Sequence, residues 1–356
     1  MICRSKSSGL NFESISSNES LAMSDLKRTS DFRDFKQPYQ QITVQDTDRP
    51  LSSHAKLTNN LRYIQFKRIA QGGKCDIQTC KDLHLGRVIC YKTLRSEFES
   101  DDAERALFLR EARITAMLQH PNTPSVYEVG IDRKGRYYFT MKLVVGHTLR
   151  ELLDQYRAGE FADDLKWGLQ RLMDMVLQVA QVLNYAHLHG VVHCDIKPEN
   201  IVVGEYGDVQ LLDWGLAKVQ EGVEQNESVD LQSIEIDRKA KMPRQGTPLY
   251  MSPEQITGGE IDHRTDIYSL GAILFEILTL ESLAWGDDIQ KLLDNTANSQ
   301  PPAPSILAPD REIPMALDTL CWRCIQRDKQ ERVQSVLEVI HELLYWLWIE
   351  SSHRQV

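Results

Sequence analysis

The 356-residue sequence lacks any unbroken run of about 18 apolar residues, the length that a membrane-spanning helix needs. Its amino terminus carries charge without a following apolar segment, which argues against a secretion signal. A basic excess is also absent, since 41 Lys and Arg residues face 51 Asp and Glu residues and leave a net charge of −10. We therefore expect no membrane span and no nucleic-acid partner.

The sequence also lacks a cysteine pattern that would indicate disulfide bonds. The seven cysteines are an odd number, are scattered along the chain, and lie mostly within apolar runs. This distribution is typical of reduced thiols in a cytoplasmic protein and does not indicate a disulfide framework. Cys321 and Cys324 have the spacing of half a zinc site, but no second pair follows, so their amphipathic helical setting favours packing.

Hydrophobic periodicity divides the chain into a tail and an ordered region. Residues 1–58 are rich in Ser, Asn, Asp and Gln and show no periodicity, so we interpret them as a disordered tail. Strands are predicted at residues 63–70, 76–81, 87–94, 125–131 and 136–143, with a helix at 101–119. Helices are predicted at residues 148–156, 166–188, 263–280, 287–294, 315–326 and 333–348. An antiparallel sheet with one helix, followed by a mainly helical region, indicates an α+β protein.

The most informative stretch is the polar loop at residues 193–200, which lies between two apolar runs. It offers Asp195 as a general base, Lys197 as a cation, and Asn200 as a ligand for a hard divalent ion. A predicted hairpin of residues 201–203 and 209–212 leads to Asp213, whose carboxylate can hold magnesium together with Asn200. Phosphoryl transfer needs such groups, because it requires an oriented hydroxyl and neutralisation of the phosphate oxygens.

With HCDIKPEN at residues 193–200 and DWG at 213–215, the chain resembles the protein kinase superfamily. Lys197-Pro198-Glu199 is similar to the serine/threonine branch, and residues 246–254 resemble the end of the activation segment in bacterial, eukaryote-like (Hanks-type) serine/threonine kinases. The resemblance implies a bilobal kinase fold over residues 61–348, with a small lobe at about 61–143, a large lobe at about 147–348 and a C-terminal tail at 349–356.

The same resemblance implies the reaction and its cofactors, ATP and Mg²⁺. Asp195 would orient the Ser or Thr hydroxyl of a protein substrate and accept its proton, while Lys197 would contact the γ-phosphate. Asn200 and Asp213 would hold Mg²⁺. The four residues form the expected catalytic set.

The resemblance implies a nucleotide site whose residues precede and follow Lys92 in the sequence. Lys92 would hold the α- and β-phosphates and pair with Glu111. The phosphate-covering loop corresponds to Ile69, Ala70, Gln71, Gly72, Gly73, Lys74, Cys75, Asp76 and Ile77. Further ATP contacts are expected from Cys90, Met141, Lys142, Val144 and Val202. Ala70 and Cys75 depart from the family, because they stand where it has its first and third glycine.

The activation segment corresponds to residues 213–254 and contains an acidic block at 221–237 and a basic block at 238–244. These blocks form either a solvated loop or sites that pair with each other or with substrate. Three supporting contacts are implied by the family. Thr247 would hydrogen-bond near Asp195 and Lys197, Glu254 would form a buried ion pair with Arg332, and Asp266 would brace the catalytic loop.

Cys194 stands where the family has an arginine that pairs with a phosphate on the activation segment. We therefore hypothesise that activity does not depend on phosphorylation through this contact. A reactive Cys-His nucleophile at His193 and Cys194 is a rival interpretation. A pseudokinase scaffold that binds nucleotide weakly is the alternative function, motivated by Ala70 and Cys75. Substrate identity, autophosphorylation and self-association stay open.

Overall fold

The computed structural model describes residues 62–71, 73–159, 165–220 and 247–353. Within these ranges the chain forms two compact units. The first comprises the described residues up to 100 together with 127–146, and the second comprises 101–126 and the residues from 147 onward. The predicted tail at 1–58, Gly72 of the predicted phosphate loop, and the acidic and basic blocks at 221–244 lie outside the described residues.

The first unit is built on a five-stranded sheet with the order β1-β2-β3-β5-β4. Its strands are β1 (Tyr63–Gln71), β2 (Cys75–Asp82), β3 (Arg87–Leu94), β4 (Val126–Ile131) and β5 (Tyr137–Met141). The β1–β2, β2–β3 and β3–β5 pairs are antiparallel. Side chains alternate between the two faces. One face carries a cluster in which the rings of Tyr91 and Tyr138 stack at 4.6 Å, and Lys92 lies on the other.

The second unit is mainly helical. Its helices are α1 (Asp102–Met117), α2 (Leu149–Arg157), α3 (Leu165–Leu188), α4 (Pro253–Thr257), α5 (His263–Thr279), α6 (Ile289–Asn298), α7 (Pro304–Leu307), α8 (Met315–Cys324) and α9 (Val336–His353). Two small sheets are formed by β6 (His147–Thr148), β8 (Ile201–Val203) and β9 (Val209–Leu211), and by β7 (Val191–Val192) with β10 (Lys218–Val219). Helix α5 is the centre of the core, because every residue from Thr265 to Thr279 is buried.

Several helices of the second unit begin with side-chain caps that satisfy otherwise unpaired backbone N–H groups. The Asp101 carboxylate accepts hydrogen bonds from the first turn of α1, and Asp262 does the same for α5. Helices α2 and α4 each begin with a capping box, formed by Thr148 with Glu151 and by Ser252 with Gln255.

The structure agrees with the predicted α+β class and contains a helix or strand at every position predicted in the described region. The last helix differs at its end, because α9 continues to His353 and takes in most of the predicted C-terminal tail at 349–356. Strands β6, β7 and β10 and helices α4 and α7 were not predicted, because segments of two to five residues are too short to show a hydrophobic period. No helix in the described ranges has both the length and the apolar character that crossing a membrane requires. The six cysteines within these ranges are free thiols, and all are buried.

Candidate active site

The polar loop at residues 193–200, the predicted catalytic loop, lies between β7 and β8. Asp195 lies in a buried part of it, at residues 193–196. The Lys197 ammonium donates to Asp195 Oδ2 at 2.6 Å, and Asn200 Nδ2 donates to the Asp195 carbonyl oxygen at 2.9 Å and to Oδ2 at 3.2 Å. One carboxylate oxygen thus receives two donors, which fixes its orientation. The structure brings together three of the four predicted catalytic side chains by direct contact.

His193 supports this loop through both of its ring nitrogens. Its Nδ1 accepts the Asp195 backbone N–H at 3.2 Å, and its Nε2 lies 3.1 Å from the Leu212 carbonyl oxygen. Burial lowers the pKa of His193, because the charged form is poorly solvated. The ring also packs against the fully buried Trp214, with ring centroids 4.5 Å apart. Both ring nitrogens are therefore occupied by structural contacts.

Cys194 is a buried thiol without the environment of a nucleophile. Burial raises its pKa well above the ordinary thiol value, and Sγ donates only a weak hydrogen bond to the Val192 carbonyl at 3.6 Å. Neither nitrogen of His193 is bonded to it. The geometry argues against the rival interpretation of a Cys-His nucleophile.

The backbone at Cys194 adopts φ of 65°, in the left-handed region that non-glycine residues seldom occupy. Asp266, at the start of α5, holds it there by accepting the His193 N–H with Oδ2 at 2.8 Å and the Cys194 N–H with Oδ1 at 2.9 Å. The predicted bracing contact is present. Burial would raise the pKa of Asp266, but its hydrogen bonds with the His187 side chain and the His193 N–H outweigh burial and lower it.

Asn200 and Asp213 are candidate ligands for a divalent cation. They lie on neighbouring backbone, because the N–H of Leu212 donates to the Asn200 carbonyl oxygen at 2.8 Å. Asp213 has φ of 65°, and its Oδ1 accepts the Gly215 N–H at 3.4 Å. Since Asn200 commits its amide nitrogen to Asp195, its oxygen is the atom suited to a metal.

The donor set fits Mg²⁺, a small hard ion that keeps several water and phosphate ligands and needs only one or two from protein. The described residues contain no group of three or more His, Cys, Asp or Glu side chains that could hold a metal. One carboxylate and one carboxamide offer oxygen ligands, which suit Mg²⁺ better than they suit a softer ion.

Most of the predicted nucleotide residues of the first unit lie on strands of its sheet, namely 69–71 on β1, 75–77 on β2, Cys90 and Lys92 on β3, and Met141 on β5. Lys92, on β3, is buried, with Nζ 5.6 Å from the Phe139 ring centroid, and Cys90 pairs opposite Met141. Ala70 pairs opposite Ile77 and Gln71 opposite Asp76, so the described part of the predicted phosphate loop lies at one end of the β1–β2 pair.

Two further features concern this predicted nucleotide site. Arg95 supports the β1–β2 hairpin by donating to the carbonyl oxygens of Gly73 and Lys74, at 2.9 and 3.0 Å. In the second unit, Glu111 lies on α1, with its carboxylate near Gly215. Its pairing with Lys92 stays a prediction, as do the contacts of the loop, linker and Val202 with ATP.

Glu254 and Arg332 form the expected buried ion pair. Arg332 Nη1 and Nη2 each donate to one carboxylate oxygen at 2.7 Å, and the Arg332 side chain is 0% exposed. Burial by itself would raise the pKa of Glu254, but the hydrogen bonds and charge of Arg332 lower it below its ordinary value. Thr247 precedes a short 3-10 turn (Pro248–Tyr250), and the predicted bond of its hydroxyl stays a prediction.

The family model described as the protein kinase domain matches residues 63–348. The chain belongs to the protein kinase family. The match spans both units. It includes the whole catalytic loop, Asp213 and the Glu254–Arg332 pair, so these residues of the candidate site lie within the matched region.

Three bacterial proteins are similar to this kinase chain over most of its length. It is 35% identical over 296 residues to the serine/threonine-protein kinase PknD of Protochlamydia amoebophila, covering 80% of this chain and 30% of that protein. It is 32% identical to the serine/threonine-protein kinase pkn3 of Myxococcus xanthus, covering 75% and 46%. The probable serine/threonine-protein kinase PknB of Lactococcus lactis is 31% identical, covering 79% and 41%. The kinase chain thus spans less than half the length of these relatives.

The kinase's helical unit contains a charge network that the sequence motifs did not predict. Arg150 on α2 donates to Glu276 at 2.6 Å, to Glu199 of the catalytic loop at 3.1 Å, and to the Tyr250 hydroxyl. Arg157 also pairs with Glu276, which is buried. The signal that could have revealed it is a glutamate inside the otherwise apolar run of α5, since a buried carboxylate requires partners.

Proposed function

We propose that this chain is an ATP-dependent protein serine/threonine kinase that transfers the γ-phosphate of ATP to Ser or Thr hydroxyls of protein substrates. The observation that carries the proposal is the Asp195 carboxylate, held by Lys197 and Asn200 on a braced loop. A base in fixed orientation beside a cation suits in-line transfer of a phosphoryl group. The names of the relatives support the serine/threonine class.

The roles follow from chemistry at stated atoms. Asp195 would orient the substrate hydroxyl and accept its proton at the carboxylate. Lys197, bonded to Asp195 Oδ2, would offer its remaining N–H groups to the transferred phosphoryl oxygens. Asn200 Oδ1 and the Asp213 carboxylate would hold Mg²⁺. When bound, that ion would neutralise charge on the phosphate oxygens.

ATP binding is assigned to the predicted loop at residues 69–77, to Lys92 paired with Glu111, and to the residues expected around the adenine. Burial of Lys92 supports a functional role, because a buried ammonium needs a charged partner or ligand. The alternative is a scaffold that binds nucleotide weakly, and it rests on Ala70 and Cys75 in place of two glycines.

The test is transfer of labelled phosphate from ATP with Mg²⁺ to the protein itself and to a generic basic protein. We expect label with the wild type and its loss in Asp195→Asn, which keeps the side-chain shape but removes the base. The matched control is Asp287→Asn, which should keep wild-type label. The Asp287 carboxylate that it removes is 88% exposed, in an ion pair with Lys291.

Absence of label in the wild type, together with weak nucleotide binding in a calorimetric titration, would reject the kinase and support the scaffold. Equal label in wild type and Asp195→Asn would leave catalysis in place but overturn the role of Asp195.

A further inference from the structure

The side chain of Gln255 bridges α4 and the catalytic loop. Its Oε1 accepts the backbone N–H of Ser252 at 2.9 Å, which is one half of the capping box of α4. Its Nε2 donates to the carbonyl oxygen of Cys194 at 2.8 Å. One carboxamide therefore joins α4, which begins at the end of the predicted activation segment, to the residue before Asp195.

Only the second of these bonds requires glutamine. The third helical position of a capping box accepts Glu or Gln equally, since either offers an oxygen to the N-cap N–H. The capping box of α2 in this chain uses Glu151 at that position. A carboxylate has no N–H to donate, so glutamate at 255 would keep the cap and lose the bond to Cys194.

The bond holds a peptide in a demanding conformation. Cys194 has φ of 65°, and such backbone persists only where its surroundings hold it. Asp266 holds the N–H side of the residue at 2.9 Å, and Gln255 holds the carbonyl side. The carbonyl of Cys194 shares a peptide plane with the N–H of Asp195. Rotating that plane would turn the Asp195 side chain away from its place.

We propose that Gln255 is a positioning residue that fixes the peptide plane between Cys194 and Asp195 and so orients the Asp195 carboxylate. It touches no reacting atom. Its catalytic consequence rests on the proposed kinase function, whereas its effect on the loop does not. Because the bond goes to the backbone carbonyl oxygen of residue 194, it does not need the arginine side chain that the family has at this position.

The test compares Gln255→Glu with the reverse change in the other capping box, Glu151→Gln. Both variants keep a cap, so both should melt close to the wild type. Gln255→Glu should lower kcat at least about tenfold with little change in KM for ATP, because a displaced base slows chemistry without weakening nucleotide binding. Glu151→Gln should leave kcat unchanged.

Amide hydrogen exchange gives a second measurement that needs no activity. The N–H groups of His193, Cys194 and Asp195 all donate to buried partners, so they should exchange slowly in the wild type. Gln255→Glu should accelerate exchange there. Gln255→Met, which adds no charge, should do the same, so the result does not depend on a carboxylate placed against a carbonyl.

The outcomes separate the two ideas. If the wild type transfers no phosphate, the kinase proposal fails, and the exchange rates alone decide the role of Gln255. Unchanged exchange at residues 193–195 in both Gln255 variants overturns the positioning role. So does accelerated exchange combined with wild-type kcat in an active kinase. Accelerated exchange with lowered kcat and unchanged KM supports it.

Discussion

Removing the counter-charge of Arg332 should destabilise the helical unit severely. The guanidinium is fully enclosed, and besides its two bonds to Glu254 it donates to the carbonyl oxygens of Gln326, Arg264 and Arg327. In Glu254→Gln these carbonyls remain, but the carboxylate does not, and a buried cation is left without a partner of opposite charge. The expected loss is about 3–5 kcal/mol of unfolding free energy.

That loss is large beside the roughly 5–15 kcal/mol by which proteins are stable. It should appear as a lower midpoint of urea unfolding, with unfolding monitored by the fluorescence of tryptophans such as the buried Trp214. Asp287→Asn is the matched control, because it removes a carboxylate from the exposed pair with Lys291 and should cost no more than about 1 kcal/mol. If Glu254→Gln lost no more than this control, the assignment of a buried, charge-dependent pair would be wrong.

Three further results are expected. Since the pKa of Glu254 is lowered in the folded state, its stabilisation is complete above its unfolded pKa near 4.5 and is lost as pH falls through the folded pKa. The stability gap between wild type and Glu254→Gln should narrow in acid, and a gap independent of pH would contradict this. Gly271→Ala should cost about 1–3 kcal/mol, seen as a lower urea midpoint, because overpacking strains a core. The added Cβ would lie 2.6 Å from Cys324 Cβ, so an unchanged midpoint would refute this close packing of α5 and α8. Phosphatase treatment should leave the kinase rate nearly unchanged, because Cys194 cannot pair with a phosphate. A large loss on dephosphorylation would reject that hypothesis.

The catalytic loop shows how far spacing alone can predict a site. Asp195, Lys197 and Asn200 lie within six residues, so their contacts depend on one local conformation that the motif specifies. Glu254 and Arg332 are 78 residues apart, yet their pairing was also predicted, because each sits in a recognisable motif of the family. In both cases the identity of the residues, together with their sequence context, contained the answer.

Helix α5 shows where a periodic pattern is sufficient and where it is not. Its apolar face predicted a buried central helix, and the structure confirms it. The pattern did not reveal that Glu276 within it binds Arg150, which is 126 residues away. Hydrophobic periodicity reports which side of a helix is buried, but it carries no information about which polar group on another helix will meet it.

The sequence by itself determined the family, the order of the main strands and helices, and the chemistry of the catalytic loop, because these depend on short-range pattern and side-chain type. Tertiary structure alone decided that Cys194 is an inert buried thiol and that its carbonyl oxygen is held by Gln255, 61 residues away. Hydrogen bonds require atoms to approach within about 3 Å with correct orientation. For segments distant along the chain, packing of the whole unit brings such atoms together.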